Sequence, residues 1–409
     1  MSTKTIWIIN QFAGTPESGW GERHYYFSQN WKKAGYDVKI ISGSYNHMFK
    51  KTVEVKGIYK YEKYNNIEYY WVKTPKYKPR SIKRFYSMLV FMIKVLFLKA
   101  KKLGKPDHII VSSMPIFPIL SGYLLKRKHK AKLYFEIRDI WPLSLQLLGK
   151  KSANHPAVKF IGWFEKFGYR KADVVVSLLP NAKAHFEKIA KRKVNFAYIP
   201  NGIDSEQLKN EQLPPEIINQ IPDDKFVIGY AGTIGLANAL EYLIEATIQL
   251  QNQTQYYFVI VGDGYLKKEL QAKTKDNKNI LYIPKIRKNQ VQHLLTKFDV
   301  CFVGRNDTPL FKHGVSANKY FDYMLAKKPI LDSNNYIKDP VEQSGGGIIV
   351  KPDSTEAIEE GIQKMYNMSE QERQAMGEKG YKYVKENHNI AYLSNKYINL
   401  FEQKKESNA

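Results

Sequence analysis

The sequence has little of what would mark a secreted or membrane-spanning protein. Its 409 residues contain one cysteine, Cys301, which excludes an internal disulfide framework and fits a reducing compartment. Because Cys301 stands in the apolar run Phe298–Val303, we predict a buried strand residue. No apolar span of 20 residues occurs, so no transmembrane helix is predicted. The first residues lack the pattern of a signal peptide, and we expect a cytoplasmic location.

Acidic residues are scarce in one half of the chain. Residues 1–200 contain 38 Lys and Arg against 12 Asp and Glu, whereas the remainder contains 26 against 27. The whole net charge of +25 therefore belongs to the first half. One-sided charge of this kind indicates an anionic partner, either a membrane surface or a nucleic acid. The two halves are expected to be separate domains with different ligands.

Short apolar runs alternate with helical patterns in both halves, which predicts an α/β fold with parallel sheets covered on both faces. The pattern restarts after residue 201. We place the domains at 1–200 and 201–385, with a last segment at 386–409 and a linker region at 200–222. The predicted strands are Ile6–Ile9, Val38–Ile41, Ile109–Val111, Leu133–Phe135, Val174–Ser177, Phe196–Ile199, Phe226–Tyr230, Tyr256–Val261, Asn279–Ile283, Val300–Val303, Pro329–Leu331 and Gly347–Val350.

The stretch 309–331, PLFKHGVSANKYFDYMLAKKPIL, is a polar loop that runs into an amphipathic helix. The N-terminus of a helix presents unpaired N–H groups that suit a phosphate. Lys319 stands in its first turn, and Asp322 follows one turn later. This pair fits an anionic leaving group and sugar hydroxyls, although an ordinary solvated ion pair explains it equally well.

The segment 83–102 combines an apolar core with basic flanks. Phe85–Leu98 reads FYSMLVFMIKVLFL, and residues 51–105 contain 15 basic and 3 acidic residues. A basic, aromatic helix suits an anionic membrane surface. A buried core helix with solvated lysines is the alternative.

Several motifs together resemble the family 4 glycosyltransferases of the GT-B architecture, nearly end to end. They are GWGERHYYFS (19–28), EIRDIWPLSLQLLG (136–149), FEKFGYRKADVVVSLLP (164–180), IPNGID (199–204), YAGTIGLANALEYLIEA (230–246), VGDG (261–264) and residues 307–331. The resemblance is strongest to the bacterial O-antigen and capsule branch, which includes N-acetyl-L-fucosamine transferases. It implies two Rossmann-like domains that face each other across a cleft, with a C-terminal helix packed back on the N-terminal domain.

The resemblance also implies a nucleotide-sugar donor on the second domain. Lys319 and Arg305 would neutralise the leaving group, with Lys285 and Arg287 as a second possibility. The family pattern has two glutamates eight positions apart; Asp322 occupies the second place, but Gly314 stands at the first. The donor-binding candidates are Gly19, Gly21, Gly232, Thr233, Gly262, Gly264, Ile286, Asn318 and Asp322.

The acceptor side is marked by ionisable residues after predicted strands of the first domain. Relatives place a His-Asp pair where this chain has Arg138 and Asp139. Asp139 is the candidate to orient or deprotonate an acceptor hydroxyl, with Glu22, Arg23, Glu136 and Arg138 as further acceptor-side candidates. A structural Arg138–Asp139 pair or a helix cap is the alternative. No metal-binding spacing occurs, so we expect neither a metal nor another cofactor.

We therefore expect a glycosyltransferase at the cytoplasmic face of the membrane. It would transfer a sugar, N-acetylated and carried by UDP, to a polyprenyl-diphosphate-linked saccharide of a bacterial surface polysaccharide, with retention of configuration. The anionic membrane would bind through 83–102, and no nucleic acid is expected. A nucleotide-sugar 2-epimerase of the same fold and a basic nucleic-acid-binding protein are the alternatives. The sequence leaves the donor sugar, the acceptor, the linkage and the oligomeric state open.

Overall fold

The computed structural model describes residues 3–79, 81–204 and 210–403. The chain divides into two units, residues 1–201 with 390–409, and residues 202–389. The sequence analysis placed these boundaries at 200 and 385. Residues 205–209 of the predicted linker and 404–409 of the predicted last segment lie outside the described residues.

The first unit is built on a sheet with the strand order β3-β4-β2-β1-β5-β6-β7-β8. Its strands are β1 Thr5–Ile9, β2 Asp37–Gly43, β3 Tyr59–Tyr64, β4 Ile67–Val72, β5 His108–Ser112, β6 Lys132–Ile137, β7 Val174–Ser177 and β8 Phe196–Tyr198. All neighbouring pairs are parallel except β3 with β4. The fully buried apolar runs of the central strands produce this arrangement, because a parallel sheet is covered on both faces.

Strands β3 and β4 were not predicted from the sequence, because no strand was assigned to this tyrosine-rich stretch. Tyr and charged residues alternate along β3, and it pairs only with β4 at the edge of the sheet. One face of such a strand meets solvent, so its pattern lacks the apolar run of a central strand.

Helices of the first unit connect its strands. They are α1 Arg23–Lys33, α2 Ile82–Leu96, α3 Ile119–His129, α4 Leu143–Leu147, α5 Pro156–Lys171 and α6 Lys183–Ala190. Both readings of the 83–102 segment describe part of α2. Ser87, Met88, Phe91 and Val95 form its buried face. The opposite face leaves apolar side chains exposed, namely Ile82, Tyr86, Ile93 and, just after the helix, Phe97.

The second unit contains an all-parallel sheet with the order β11-β10-β9-β12-β13-β14. Its strands are β9 Phe226–Thr233, β10 Tyr256–Asp263, β11 Ile280–Ile283, β12 Val300–Gly304, β13 Ile330–Ser333 and β14 Gly347–Val350. Its helices are α7 Pro215–Ile218, α8 Leu240–Gln249, α9 Lys267–Lys273, α10 Val291–Leu295, α11 Asn318–Leu325, α12 Pro340–Ser344, α13 Thr355–Asn367 and α14 Glu370–Asn387. Cys301 is fully buried in β12, as predicted. Two Rossmann-like units are thus confirmed.

The last helix, α15 Ile390–Glu402, belongs to the first unit. Its Tyr397 and Phe401 pack edge-on against the buried indole of Trp31 on α1, at 5.2 and 5.4 Å between ring centroids. Trp31 Nε1 also donates a hydrogen bond to the carbonyl of Ser394. Aromatic packing therefore fixes the end of the chain on α1.

None of the helices in the described part of the chain combines the length and hydropathy that a transmembrane span requires.

Replacing Phe401 with alanine should destabilise the first unit by about 3–5 kcal/mol, because it leaves a cavity among Trp31, Tyr36 and Tyr134. Urea unfolding followed by tryptophan fluorescence measures this loss. Tyr392→Ala, at a side chain 44% exposed on the same helix, should change stability by much less. Equal effects of the two substitutions would contradict the packing role of Phe401.

Candidate functional site

The glycines predicted to contact the donor lie where strands β9 and β10 end. Gly232 and Gly262 are register partners. A Cβ at Gly262 would come within 1.9 Å of the Gly232 carbonyl oxygen, and one at Gly264 within 1.9 Å of the Ile234 carbonyl oxygen. Close backbone packing is thus sufficient to explain why glycine occupies positions 262 and 264. Their donor contact stays a prediction.

Strand order brings the predicted leaving-group residues to one edge of the second sheet. β9 lies between β10 and β12, so the order reverses at the β9–β12 boundary. Thr233 ends β9, and Arg305 follows Gly304 at the end of β12. Ligands of open parallel sheets bind at such a reversal, beyond the carboxyl ends of the strands.

Lys319 and Arg305 meet at this edge through Asn238. The Lys319 ammonium donates to Asn238 Oδ1 at 2.7 Å and to the Tyr230 hydroxyl at 3.0 Å. Arg305 Nη1 donates to the same Asn238 oxygen at 2.6 Å and to the Ala237 carbonyl at 2.7 Å. A Cβ placed on Gly232 would lie 3.4 Å from Lys319 Nζ. Two cations thus share one neutral acceptor beside the predicted glycine loop.

The cluster is short of negative charge. Burial, reinforced by Arg305, holds the pKa of Lys319 well below its ordinary value. The nearby Asp332 is fully buried, and burial together with Asp339 raises the pKa of Asp332 well above the usual range. Arg305 Nε is buried without a hydrogen-bond partner among the described residues. An incoming anion would therefore supply the negative charge that the cluster lacks and an acceptor for Arg305 Nε.

Asp322 lies one turn beyond Lys319 on α11. Its burial raises the pKa of the carboxyl to about 6, against a weaker opposing effect of Lys288. Its backbone carbonyl accepts from Gln292, which leaves the carboxylate for a ligand hydroxyl. Asn318 is exposed as the first residue of α11, and Ile286 is partly buried in the loop after β11. For Asn318 and Ile286, donor contact remains a prediction.

The first unit contains a cavity of about 370 Å³ at the carboxyl ends of its strands. Its lining comes from the loops after β1, β2, β5, β6, β7 and β8 and from α2. The lining residues are Phe12, Trp20, Asn46, His47, Met48, Arg84, Met114, Arg138, Asp139, Leu178 and Asn201. The predicted acceptor-side pair Arg138 and Asp139 thus lines one cavity.

Arg138 and Asp139 do not pair with each other. Asp139 accepts a hydrogen bond from the Ser144 hydroxyl, and burial raises the pKa of its carboxyl. The Arg138 guanidinium has no hydrogen-bond partner within the described ranges, and burial lowers its pKa. The alternative of a structural Arg138–Asp139 pair is therefore wrong. Both groups remain available to a ligand in the cavity.

Glu136 and Arg23, two further acceptor-side candidates, are buried. Glu136 is 0% exposed and accepts from Arg23 at 3.1 Å, His24 at 3.0 Å, Ser112 at 2.7 Å and Tyr397. Arg23 also donates to the backbone carbonyls of Ile199 and Pro200. Direct acceptor contact by Glu136 does not fit this structure, because its oxygens are enclosed and already paired.

The remaining candidates lie around the loop after β1. Glu22 precedes α1 and accepts from the Tyr26 hydroxyl at 3.1 Å. Gly19 and Gly21 have φ values of +69° and +80°, so the turn itself requires glycine. Their donor contact stays a prediction, and they belong to the first unit, apart from the Lys319 cluster of the second.

Sequence reasoning missed Asn238, Tyr230, Asn46 and Arg84. Asn238 belongs to the quoted motif YAGTIGLANALEYLIEA (230–246), from which only Gly232 and Thr233 were named as donor-binding candidates. The oxygen that joins Lys319 and Arg305 comes from a residue 81 and 67 positions away from them. The sequence signal that could have identified Asn238 is an amide side chain among apolar residues in a predicted glycine loop.

Family models match both halves of the chain. The model "Glycosyltransferase Family 4" matches residues 19–207, and "Glycosyl transferases group 1" matches residues 216–383. This chain belongs to the family 4 glycosyltransferases. The matches favour neither the epimerase nor the nucleic-acid-binding alternative.

A curated relative of this glycosyltransferase is the putative colanic acid biosynthesis glycosyl transferase WcaI of Escherichia coli K12. It is 26% identical over 266 residues, which are 61% of this chain and 64% of WcaI. The match thus spans less than two thirds of the relative's length.

Solved structures show the same fold at low identity. Sucrose-phosphate synthase of Thermosynechococcus elongatus has a TM-score of 0.71 at 16% identity, over 98% of both chains. HepE of Anabaena, in complex with UDP and glucose, has a TM-score of 0.66 at 12% identity, over 97% of this chain and 99% of HepE. The trehalose 6-phosphate synthase of Burkholderia multivorans reaches 0.73 at 12% identity, over 98% of both chains. The GT-B fold is thereby confirmed.

Within residues 3–79, 81–204 and 210–403, no three His, Cys, Asp or Glu side chains gather into a candidate metal site. The expectation of metal-independent chemistry in this glycosyltransferase stays a prediction.

Replacing Asp322 with asparagine should stabilise the protein above pH 6. The folded carboxyl, with a pKa of about 6, binds a proton more tightly than the unfolded one with 3.8, so stability falls as the pH rises from about 4 to 6. Removing this group should recover up to about 3 kcal/mol at pH 8 and nothing below pH 3.8.

Urea unfolding at pH 8 and pH 4 measures the difference for Asp322→Asn. Asp263→Asn, at an exposed carboxyl on the end of β10, serves as the control and should show no such pH-dependent gain. A loss of stability at pH 8 in the Asp322 variant would contradict the assignment.

Proposed function

We propose that this chain transfers an N-acetylated sugar from a UDP-sugar to a polyprenyl-diphosphate-linked saccharide during the synthesis of a bacterial surface polysaccharide. The transfer retains the anomeric configuration and uses no metal. The observation that carries the proposal is the pair of cations, Lys319 and Arg305, joined by Asn238 beside Gly232. This arrangement suits a diphosphate leaving group.

The chemistry follows from where charge develops. The bond between the anomeric carbon and the diphosphate oxygen breaks, and negative charge grows on that oxygen. Lys319 and Arg305 stabilise this charge, and because they are fixed before the donor arrives, no reorganisation is required at the moment of transfer. The acceptor oxygen forms the new bond on the same face, and its proton passes to the departing phosphate.

Asp139 would orient the acceptor hydroxyl in the first-unit cavity. Its carboxyl is held by Ser144, and burial raises its pKa, which makes the carboxylate a stronger hydrogen-bond acceptor than an exposed one. On the donor side, Asp322 would accept hydrogen bonds from the ribose hydroxyls. The two carboxylates thereby position substrates, and the cations stabilise the leaving group.

The comparisons support part of the choice of substrates. The relative WcaI is named for colanic acid biosynthesis, and the HepE structure is described with UDP and glucose. These descriptions apply to WcaI and HepE themselves. Together with the resemblance to the O-antigen and capsule branch, they support a UDP-sugar donor and a surface-polysaccharide product here.

The exposed face of α2 supports attachment to the cytoplasmic face of the membrane. Ile82, Tyr86, Ile93 and Phe97 are separated by four, seven and four residues, a spacing that places them on one side of the helix, and they are 51–87% exposed. The exposed Lys83, Lys99 and Lys102 flank them. Apolar side chains between lysines suit an anionic lipid surface, where each lysine adds about 1 kcal/mol.

Replacing Lys319 with alanine should reduce transfer by about 100-fold or more, because one of two cations on the leaving group is lost. Radiolabelled sugar transfer to a synthetic lipid-linked acceptor, after a screen of nucleotide sugars for thermal stabilisation, measures this. The fold should persist, since a buried ammonium with a lowered pKa contributes little to stability.

Lys275→Ala is the matched control for Lys319→Ala, because the Lys275 side chain is 76% exposed between α9 and β11. It should retain near wild-type transfer. Wild-type turnover in the Lys319 variant, with an unchanged melting temperature, would rule out its leaving-group role.

The triple substitution Ile82→Ser, Ile93→Ser and Phe97→Ser should weaken binding to vesicles with 30% phosphatidylglycerol by more than about 10-fold, since each lost apolar side chain removes 1.5 kcal/mol or more of possible burial. Vesicle sedimentation measures this, with an unchanged circular dichroism spectrum. Ile58→Ser, at a side chain 63% exposed elsewhere in the first unit, is the control. Undiminished sedimentation of the triple variant would contradict the proposal.

A further inference from the structure

One cation that lines the first-unit cavity has no ion pair among the residues that the structure describes. Arg84, on α2, lines the cavity and has its guanidinium carbon 5.9 Å from the ring centroid of Phe12. Its Nε is buried and has no hydrogen-bond partner among the residues that the structure describes. Arg84 as a whole is partly exposed, but a buried N–H group that lacks an acceptor is costly unless a ligand supplies one.

Asn46 adds a second unsatisfied donor to the same cavity. Its side chain is 1% exposed. The backbone N–H of Met48 donates to Asn46 Oδ1 at 3.0 Å, which fixes the orientation of the amide. Asn46 Nδ2 then has no partner in the described part of the chain. Side-chain donors of two residues, from α2 and from the loop after β2, thus lack acceptors.

The surroundings do not neutralise Arg84. Of the described residues that line the cavity, Asp139 is the one acid, and it is bound to Ser144. His47 lines the cavity with Arg84, and both burial and the Arg84 charge lower the pKa of its imidazole. His47 Nδ1 lies 3.5 Å from the Tyr77 hydroxyl, and burial raises the pKa of Tyr77 to about 12. The groups near Arg84 are therefore neutral rather than anionic.

We propose that Arg84 and Asn46 form an anion subsite that binds the diphosphate of the acceptor. The assignment rests on the function proposed above and adds the residues that hold the acceptor's charged group. Arginine and amide N–H groups are suitable donors to phosphate oxygens. The saccharide occupies the same cavity, which Asp139 also lines, so that Arg84 and Asn46 bind the charged group and Asp139 orients a hydroxyl.

The position of Arg84 on α2 selects a lipid-borne diphosphate. Ile82 and Tyr86, the neighbours at two positions on either side, belong to the exposed apolar face of the helix. The same two turns of helix therefore offer apolar side chains to a membrane and a cation to the cavity. When a diphosphate is attached to a membrane-embedded polyprenyl chain, the membrane and the diphosphate both reach this one helix.

Binding of inorganic pyrophosphate to the full-length protein tests the subsite, in titration calorimetry with saturating UDP to occupy the donor site. Arg84→Gln should weaken binding by at least 10-fold. Asn46→Asp, which is isosteric and keeps the acceptor for Met48 N–H, should weaken it similarly, because a donor becomes a negatively charged acceptor. Arg192→Gln, at an exposed arginine of the same unit, should bind like the wild type.

NMR of the His47 imidazole provides a readout that does not depend on catalysis. Pyrophosphate should raise the pKa of His47 in the wild type, because the anion offsets Arg84, and should leave it unchanged in Arg84→Gln. Unchanged calorimetry for the Arg84 variant, or an equal loss in Arg192→Gln, would overturn the subsite.

A comparison of dodecyl diphosphate with orthophosphate separates a lipid group from a free phosphate. At least 10-fold tighter binding of dodecyl diphosphate, abolished by Arg84→Gln, supports the lipid assignment, and equal binding of both overturns it. If Arg84→Gln loses pyrophosphate but the wild type transfers no sugar to lipid-linked acceptors, the proposed function fails and the anion subsite stands. If transfer occurs and the variant binds normally, only the subsite fails.

Discussion

The carboxylate of Glu136 connects several elements of the first unit through hydrogen bonds. It lies on β6 without exposed surface and accepts hydrogen bonds from two residues of α1, one at the end of β5 and one of α15. Burial alone would favour the protonated acid, but Arg23 and His24 reverse this and hold the pKa of Glu136 well below its usual range. Loss of one partner from such a buried pair typically costs about 3–5 kcal/mol.

This network also fixes the two places where the chain crosses between the units. Arg23 binds Glu136 on one side and the carbonyls of Ile199 and Pro200 on the other. Tyr397 brings α15, which follows the second crossing, to the same carboxylate. The segment after β8, which carries the cavity residue Asn201, is thereby anchored to Arg23. We infer that this part of the cavity wall is preorganised.

Both units use the same physical device for different ligands. Parallel strands end together, and near these ends lie donors that the described residues leave without a charged acceptor. In the second unit these are Lys319 and Arg305, whose shared acceptor is a neutral amide oxygen. In the first they are Arg84, Arg138 and Asn46. Most of the excess basic residues in the first half are exposed lysines. A smaller number of basic residues line this cavity.

Central strands could be predicted from sequence because apolar runs record local burial, and the two Rossmann-like units follow from their repetition. The edge strand β3 and its neighbour β4 could not, since their tyrosine-rich sequences also suit a membrane-facing segment. The proximity of Lys319 and Arg305 was proposed from motif position. The joining amide of Asn238 was not, because sheet order, rather than sequence spacing, brings it to them. Glu136 was misassigned for a related reason: a carboxylate after a buried strand looks functional until its buried partners are known.

Gly314 bears on the mechanism through its backbone. The family pattern that this chain resembles places a carboxylate there, but Gly314 has a φ of +92°, a conformation that L-residues with side chains rarely adopt. The loop before α11 is therefore built to a different path, in which a glutamate would be strained. With no carboxylate from this position to balance Lys319 and Arg305, the function proposed above takes the negative charge from the donor's own diphosphate. In that proposal the leaving group that neutralises its binding site also accepts the acceptor's proton, as a front-face transfer requires.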